Sequence, residues 1–270
     1  MATPLPDHKL LVARRILICR PEPEASRLAD AFREAGAEAR VLPLIRREPL
    51  PETPATRTLI QNLDLYTHVI AVSPYAAGLF LALADNWWPQ LPMGIRWYGV
   101  GGGTASIFAQ SGLDPCKPAK GWTSEALLAL PSLQTFHHEK VLLVRGEDGR
   151  ELIQQTLTER GADVTLLPLY RRLSPTPDKA SLDSALLHFH PDAVITLSGE
   201  TLNNFIALSK NSGHNPETTL LVVPASRIAQ RAHQVGLTQT CVPQSLADTD
   251  IVAAVAQELD RRTGSAGNTK

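Results

Sequence analysis

The sequence predicts an α/β protein built as two open, doubly wound parallel-sheet domains. Three observations lead there. Short apolar bursts alternate with amphipathic stretches, the second half of the chain repeats the first, and 270 residues suffice for two domains of ordinary size.

The bursts are ILIC (16–19), THVIAV (67–72), RWYGV (96–100), VLLV (141–144), DAVITL (192–197) and TLLVV (219–223). They are apolar on consecutive positions and rich in β-branched residues, the pattern of strands covered on both faces. Helical periodicity fills the gaps. In ASRLADAFREAG (25–36), Leu28, Ala31, Phe32 and Ala35 recur at helical spacing, and Gly36 stands where a C-terminal cap belongs. ELIQQTLTERG (151–161) places Leu152, Ile153, Thr156 and Leu157 in the same way and ends at Gly161. Strand–helix–strand alternation with short connections gives parallel sheets with helices on both faces, a flavodoxin-like arrangement.

The repeat is the strongest internal signal. Residues 15–47 align with 140–172 without a gap at an offset of 125, pairing Arg20 with Arg145, Gly36 with Gly161, Pro43 with Pro168, and Arg46-Arg47 with Arg171-Arg172. The register continues through Ser73 on Ser198, Gly112 near Gly236, and Ser124-Glu125 on Thr249-Asp250. VLPLIRREP and LLPLYRRLSP each break an apolar run with proline before an arginine pair. Proline suits an edge or a connector better than a central strand, so both segments are expected to cross between domains.

Composition excludes several classes. Apolar residues make up 43% and charged residues 20%, as in globular proteins, and the net charge of -1 leaves no global field for nucleic acid or an anionic membrane. No apolar run reaches the ~20 residues of a membrane helix, and the N-terminus lacks the pattern of a signal peptide. The cysteines Cys19, Cys116 and Cys241 are widely spaced, with no CxxC pair and no metal-ligand spacing. A reduced cytoplasmic protein without disulfides or metal is expected. His137-His138 and His188-Phe189-His190 have no ligand spacing either. The final RRTGSAGNTK is expected to lack fixed structure.

Four features carry candidate chemistry. VGGGTA (100–105) follows a strand and opens a helix, so Gly101, Gly102, Gly103 and Thr104 can present free N–H groups to an anion. It fits neither a Walker loop nor GxGxxG, and it reads equally as a plain strand–helix turn with Thr104 as N-cap. Ser73 and Ser198 each follow a strand, to bond a ligand or to cap the next helix. Arg20 and Arg145 end equivalent first strands, where carboxylate-binding forks are well placed, whereas the arginine pairs read as solvated. Tyr170 faces Ile45 in the repeat. Such a tyrosine donates a proton at a cleft or simply packs at a junction.

In this order of segments the chain resembles the uroporphyrinogen-III synthase family over about residues 14–260. The resemblance rests on RLADAFREAGAEARVLPLIRR, THVIAVSPYAAG, YGVGGGTASIFAQSGL, GWTSEALLAL, DAVITLSGETLNNF and ADTDIVAAVAQEL. The segment RGEDGRELIQQTLTERGADVTLLPLYRR (145–172) is its most specific part. It implies two domains joined by a two-stranded connector, with the first strand–helix unit packed on the C-terminal half. Domain one is then 1–40 plus 174–270, domain two 48–165, and the connectors 41–47 and 166–173; a linear division would fall near 135. It implies a substrate, hydroxymethylbilane, held in a cleft between the domains. This linear tetrapyrrole loses water and closes through a spiro intermediate with its last ring inverted, without cofactor or metal, and the enzyme is a lyase. Tyr170 matches the family tyrosine that assists departure of the hydroxyl. Thr104, Ser73 and Ser198 match family positions for substrate contact. Ile228 stands where the second copy often carries threonine, with Ser226 as a substitute. A cytoplasmic monomer is expected, with no nucleic-acid or membrane partner and at most transient contacts with neighbouring pathway enzymes. Two alternatives stand beside it: a non-catalytic two-domain module for a small anionic ligand, and a nucleotide-using enzyme, which the missing lysine and acidic residue disfavour.

Overall fold

The computed structural model describes residues 10–119, 121 and 123–266. Residues 1–9, on which the signal-peptide reading rests, lie outside them. In chain order the described elements are β1 (Arg15–Ile18), α1 (Glu24–Glu34), β2 (Glu38–Val41), β3 (Arg46–Pro49), α2 (Pro54–Gln61), β4 (His68–Ala71), α3 (Pro74–Asp85), β5 (Arg96–Gly99), α4 (Gly102–Gln110), β6 (Pro115–Cys116) and α5 (Ser124–Leu128). They continue with β7 (Lys140–Gly146), α6 (Leu152–Glu159), β8 (Asp163–Leu173), α7 (Lys179–Asp183), β9 (Ala193–Ile195), α8 (Gly199–Ser212), β10 (Leu220–Val222), α9 (Ser226–Gln234), β11 (Thr240–Cys241) and α10 (Asp248–Ala266). The chain divides into two compact units, unit 1 being Met1–Arg46 with Leu173–Lys270 and unit 2 Arg47–Arg172.

Unit 1 holds a five-stranded sheet ordered β11-β10-β9-β1-β2, with neighbouring strands paired parallel. The central strands β9 and β10 are buried at every position, as consecutive apolar residues require. One face of the sheet, including Ile16, Ile18 and Ile195, packs on Leu28 and Phe32 of α1 and Ile251 and Val255 of α10. The other face, including Leu17, Val194 and Leu221, packs on Leu202 and Phe205 of α8 and Ala229 and Ala232 of α9.

Unit 2 is built the same way. Its sheet runs β3-β8-β7-β4-β5-β6, and β8 through β6 pair parallel. Val69, Leu142 and Val144 meet Ala77 and Phe80 of α3 and Phe108 of α4. On the opposite face Ile70, Tyr98 and Leu143 meet Leu127 of α5 and Ile153 and Leu157 of α6. Leaving β3 aside, both sheets share one order: two strands from one half of the chain sit beside three from the other. Helices on both faces and this strand order make each unit an open doubly wound fold.

Local details follow the sequence closely. Gly36 and Gly161 lie at positive φ (95° and 93°) just past α1 and α6, the backbone that a helix stop requires. Pro168 lies inside β8 but at a register shift, where Arg145 pairs with Pro168 and Gly146 with Tyr170. The bulge takes up a proline that a regular ladder would reject. One expectation is corrected: the tail is helical as far as Ala266, tied by the Arg261–Glu258 pair at 2.6 Å and by the Thr263 hydroxyl on the Leu259 and Asp260 carbonyls. Residues 267–270 lie outside the described residues.

Candidate active site

In a doubly wound fold, side chains that follow the carboxyl ends of the strands are free of the ladder and point at a ligand. In unit 2 this edge gathers Tyr170, Ser73 and the start of α4. The bulge at Gly146 changes the phase of β8, so Leu169 and Tyr170 are both buried although adjacent. The Tyr170 hydroxyl lies 3.3 Å from the Ser73 hydroxyl. Ser73 is also the N-cap of α3, its oxygen accepting the Ala76 N–H at 3.1 Å. The capping reading of this serine is realised, and the same oxygen faces the tyrosine. Tyr75 packs edge-on against the Tyr170 ring with centroids 5.1 Å apart, and the Arg47 guanidinium lies 4.1 Å from the Tyr75 centroid.

Gly146 makes the space for this ring. A Cβ there would lie 2.9 Å from two ring carbons of Tyr170 and 3.2 Å from its oxygen. Arg145 serves the same loop: its side chain is buried, and its guanidinium donates to the carbonyls of Gly146 and Gly149. The Glu147 N–H donates to the Tyr170 carbonyl at 2.8 Å, closing the loop onto β8. The arginine expected to hold substrate is thus committed to the loop that closes onto Tyr170.

The glycine run behaves differently from a strained phosphate loop. Gly101, not Thr104, is the N-cap of α4, with extended backbone (φ -147°) and no side chain bonding the first turn. Thr104 is the third helical residue and is buried, which removes the capping role suggested by the sequence. Gly102 and Gly103 leave the N–H groups of the first turn uncovered, a favourable place for a carboxylate. The glycine that packing does demand is Gly99, where a Cβ would meet the Ala105 nitrogen at 2.5 Å.

Unit 1 repeats the arrangement without the tyrosine. Ser198 caps α8 through the Thr201 N–H at 3.0 Å, and its hydroxyl lies 2.8 Å from that of Thr201. α9 starts after Ala225 with no side-chain cap, Ser226 is exposed in its first turn, and Ile228 occupies the third position that Thr104 holds in α4. Arg20 faces Asp248 at 3.6 Å, and Arg27 bonds the other oxygen of the same carboxylate at 2.5 Å. Among the described residues no group of three His, Cys, Asp or Glu side chains is arranged to hold a metal ion.

The family model described as uroporphyrinogen-III synthase HemD matches residues 26–253. The chain belongs to the uroporphyrinogen-III synthase family. It is 32% identical to the uroporphyrinogen-III synthase of Salmonella typhimurium over 248 residues, which is 90% of this chain and 99% of that protein. The Escherichia coli uroporphyrinogen-III synthase is 31% identical over the same shares of both chains. Among solved structures, a mutant uroporphyrinogen III synthase from Thermus thermophilus is similar with a TM-score of 0.62 at 17% identity, covering 92% of this chain and all of that one. The Helicobacter pylori enzyme gives 0.56 at 13% identity, covering 91% and 99%. At such identities the structures establish the two-domain α/β fold of the family.

Of the residues singled out from the sequence, Ser73, Tyr170 and the α4 turn of Gly101–Thr104 share one edge of unit 2, whereas Ser198, Ser226 and Arg20 lie in unit 1. The structure adds Tyr75, Gly146 and Asp248. Tyr75 carried a usable signal, because it lies two residues after a strand-end serine. Gly146 and Asp248 had none, since their partners are distant in the chain.

Proposed function

We propose that this chain, as a member of its family, converts hydroxymethylbilane into uroporphyrinogen III. Formally it is a lyase, since water leaves as the ring closes. The observation that carries the reading in unit 2 is the Tyr170–Ser73 pair at 3.3 Å beside the uncapped start of α4.

The roles follow from the chemistry. The reaction needs no enzyme nucleophile, because a pyrrole of the substrate attacks. What the protein supplies is a proton for the departing hydroxyl and control of which pyrrole carbon is reached. The Ser73 oxygen accepts the Ala76 N–H and lies 3.3 Å from the Tyr170 oxygen, so its own proton is available to Tyr170. The phenol proton then goes to the hydroxyl as the C–O bond breaks, and Ser73 stabilises the oxyanion left on Tyr170. Tyr170 regains a proton when the inverted terminal pyrrole gives one up and recovers its aromaticity. Gly102, Gly103 and Thr104 N–H groups take a substrate carboxylate at α4, and Ser226 marks the equivalent start of α9, with Ser198 and Arg20 in the same unit. Arg145 acts through the Tyr170 loop rather than on the substrate. We take units 1 and 2 as the functional domains, with 41–47 and 166–173 as connectors. The enzyme works in the cytoplasm as a monomer without a cofactor and meets neighbouring pathway enzymes at most transiently.

Removing the phenol oxygen tests this. Tyr170→Phe should lower kcat about tenfold or more with KM nearly unchanged, the mark of an interaction made in the transition state. An unchanged kcat removes Tyr170 from the chemistry.

A further inference from the structure

Unit 1 carries a second concentration of polar groups at the opposite end of its sheet, where β1, β9 and β10 begin. A cavity of about 550 Å³ opens there, lined by Arg14, His190, His214 and Arg262 with the threonines Thr218 and Thr219. These residues are far apart in the chain. Arg14 precedes β1, His190 precedes β9, His214 follows α8, and Arg262 lies in the last turns of α10.

Three observations mark it as more than a dent in the surface. First, the Nε2 atom of His214 is buried with no hydrogen-bond partner, a state that proteins rarely leave unanswered. Secondly, His190 adopts a left-handed backbone (φ 45°) immediately before Pro191, which a non-glycine residue seldom does. It is thereby held close enough to His214 for its charge to depress the His214 pKa, adding to the larger effect of burial. Thirdly, the basic groups are not spent on neighbouring carbonyls. Basic side chains at helix carboxyl ends ordinarily bond the last carbonyls. Here Arg262 bonds the side chain of Gln239, and the lining carboxylate, Asp192, accepts the backbone N–H of Arg15 at 2.7 Å and faces its guanidinium at 3.9 Å.

We propose that this cavity is a binding site for a small organic polyanion, one bearing carboxylate or phosphate groups, held by Arg14 and Arg262 and by the ring N–H groups of His190 and His214. The volume suits a molecule of metabolite size. Two guanidinium forks and two imidazoles lining one cavity, against the single Asp192 carboxylate already engaged by Arg15, favour an anion of charge two or more. The bound anion gives the His214 ring nitrogen its partner. Because a protonated His214 donates to the anion, affinity rises as pH falls. The groups facing the histidines are Arg14, Asp192 and Arg262, and of these only Asp192 opposes the ligand.

The test uses the full chain with labelled histidine. Citrate serves as the carboxylate probe and inorganic pyrophosphate as the phosphate probe, read by the imidazole signals of His190 and His214. At least one probe should shift both rings, bind about tenfold more tightly near pH 6 than near pH 8, and lose about tenfold in affinity in Arg14→Ala and in His214→Gln. Response to both probes identifies shared oxyanion chemistry, and response to one names the class. Binding that leaves these two rings unmoved, or that is unchanged in both variants, overturns the proposal. Shifts confined to histidines outside the cavity, such as His68 in unit 2, would equally count against it.

Discussion

A single methyl group at Gly146 should disable the site by displacing the Tyr170 ring, without removing any group that reacts. Gly146 is absent from the positive-φ positions, so alanine is conformationally allowed there and its cost is steric alone. The new Cβ would lie 2.9 Å from Cε2 and Cζ of Tyr170, where ordinary contact starts at 3.4 Å, so the ring must give by about half an ångström or more. It has little room, since Tyr170 is only 6% exposed and Tyr75 packs against it. Overpacking of this kind costs about 1–3 kcal/mol, which lowers Tm by roughly 3–10 °C in a protein of this size. The larger effect falls on rate. A proton donor displaced by about half to one ångström loses roughly 10- to 100-fold in kcat. The assay pairs thermal unfolding with initial rates of hydroxymethylbilane consumption, in wild-type and Tyr170→Phe backgrounds. If the methyl acts by moving the phenol oxygen, Gly146→Ala costs far less in rate where that oxygen is already gone. Equal losses of rate in both backgrounds, or a wild-type kcat in the single variant, would show that Gly146 does not place the phenol.

Other expectations follow from the same structure. Arg145→Lys keeps the charge but not the fork that grips the Gly146 and Gly149 carbonyls, so it should destabilise unit 2 by about 2–3 kcal/mol and speed proteolysis at 146–149; an unchanged Tm and cleavage rate would contradict this. Burial holds His68 below its ordinary pKa, so the unfolded chain binds that proton more readily. The associated stability is present above about pH 6.5 and lost as pH falls below it, by at most ~1.4 kcal/mol per pH unit, and His68→Gln should flatten the denaturant-derived slope. An unaltered slope would show that His68 does not titrate on unfolding. Cys116 is exposed, whereas Cys19 is buried with its thiol pKa pushed up, so iodoacetamide should label Cys116 in the native protein and Cys19 only after denaturation. Rapid native labelling of Cys19 would mean that the unit 1 core opens easily.

The fold was largely legible because its signals are local. Consecutive apolar residues such as Leu220, Leu221 and Val222 mark a strand covered on both faces, and Gly36 and Gly161 punctuate helices at positions only glycine fills easily. The helix caps were legible where a serine follows a strand, as at Ser73 and Ser198. Thr104 misled because its hydroxyl is a good cap in sequence, yet Gly101 provides the extended residue and the threonine turns inward. Arg145 misled for another reason. Its partners are backbone carbonyls one and four residues on, and nothing in residue type distinguishes an arginine that grips a loop from one that grips a carboxylate. The pairing of Arg20 with Asp248 joins residues at opposite ends of the chain, which no spacing rule reaches. His190 and His214 meet only because β9 and β10 are neighbours, so their separate appearances in the sequence carried no hint of a shared cavity.

The central claim is that this chain directs ring closure with inversion. Freshly generated hydroxymethylbilane should be mixed with the purified protein, the products oxidised, and the type I and type III uroporphyrins separated. Predominantly type III, in proportion to protein added, is the expected product. Type I alone, as in the protein-free control, would contradict it.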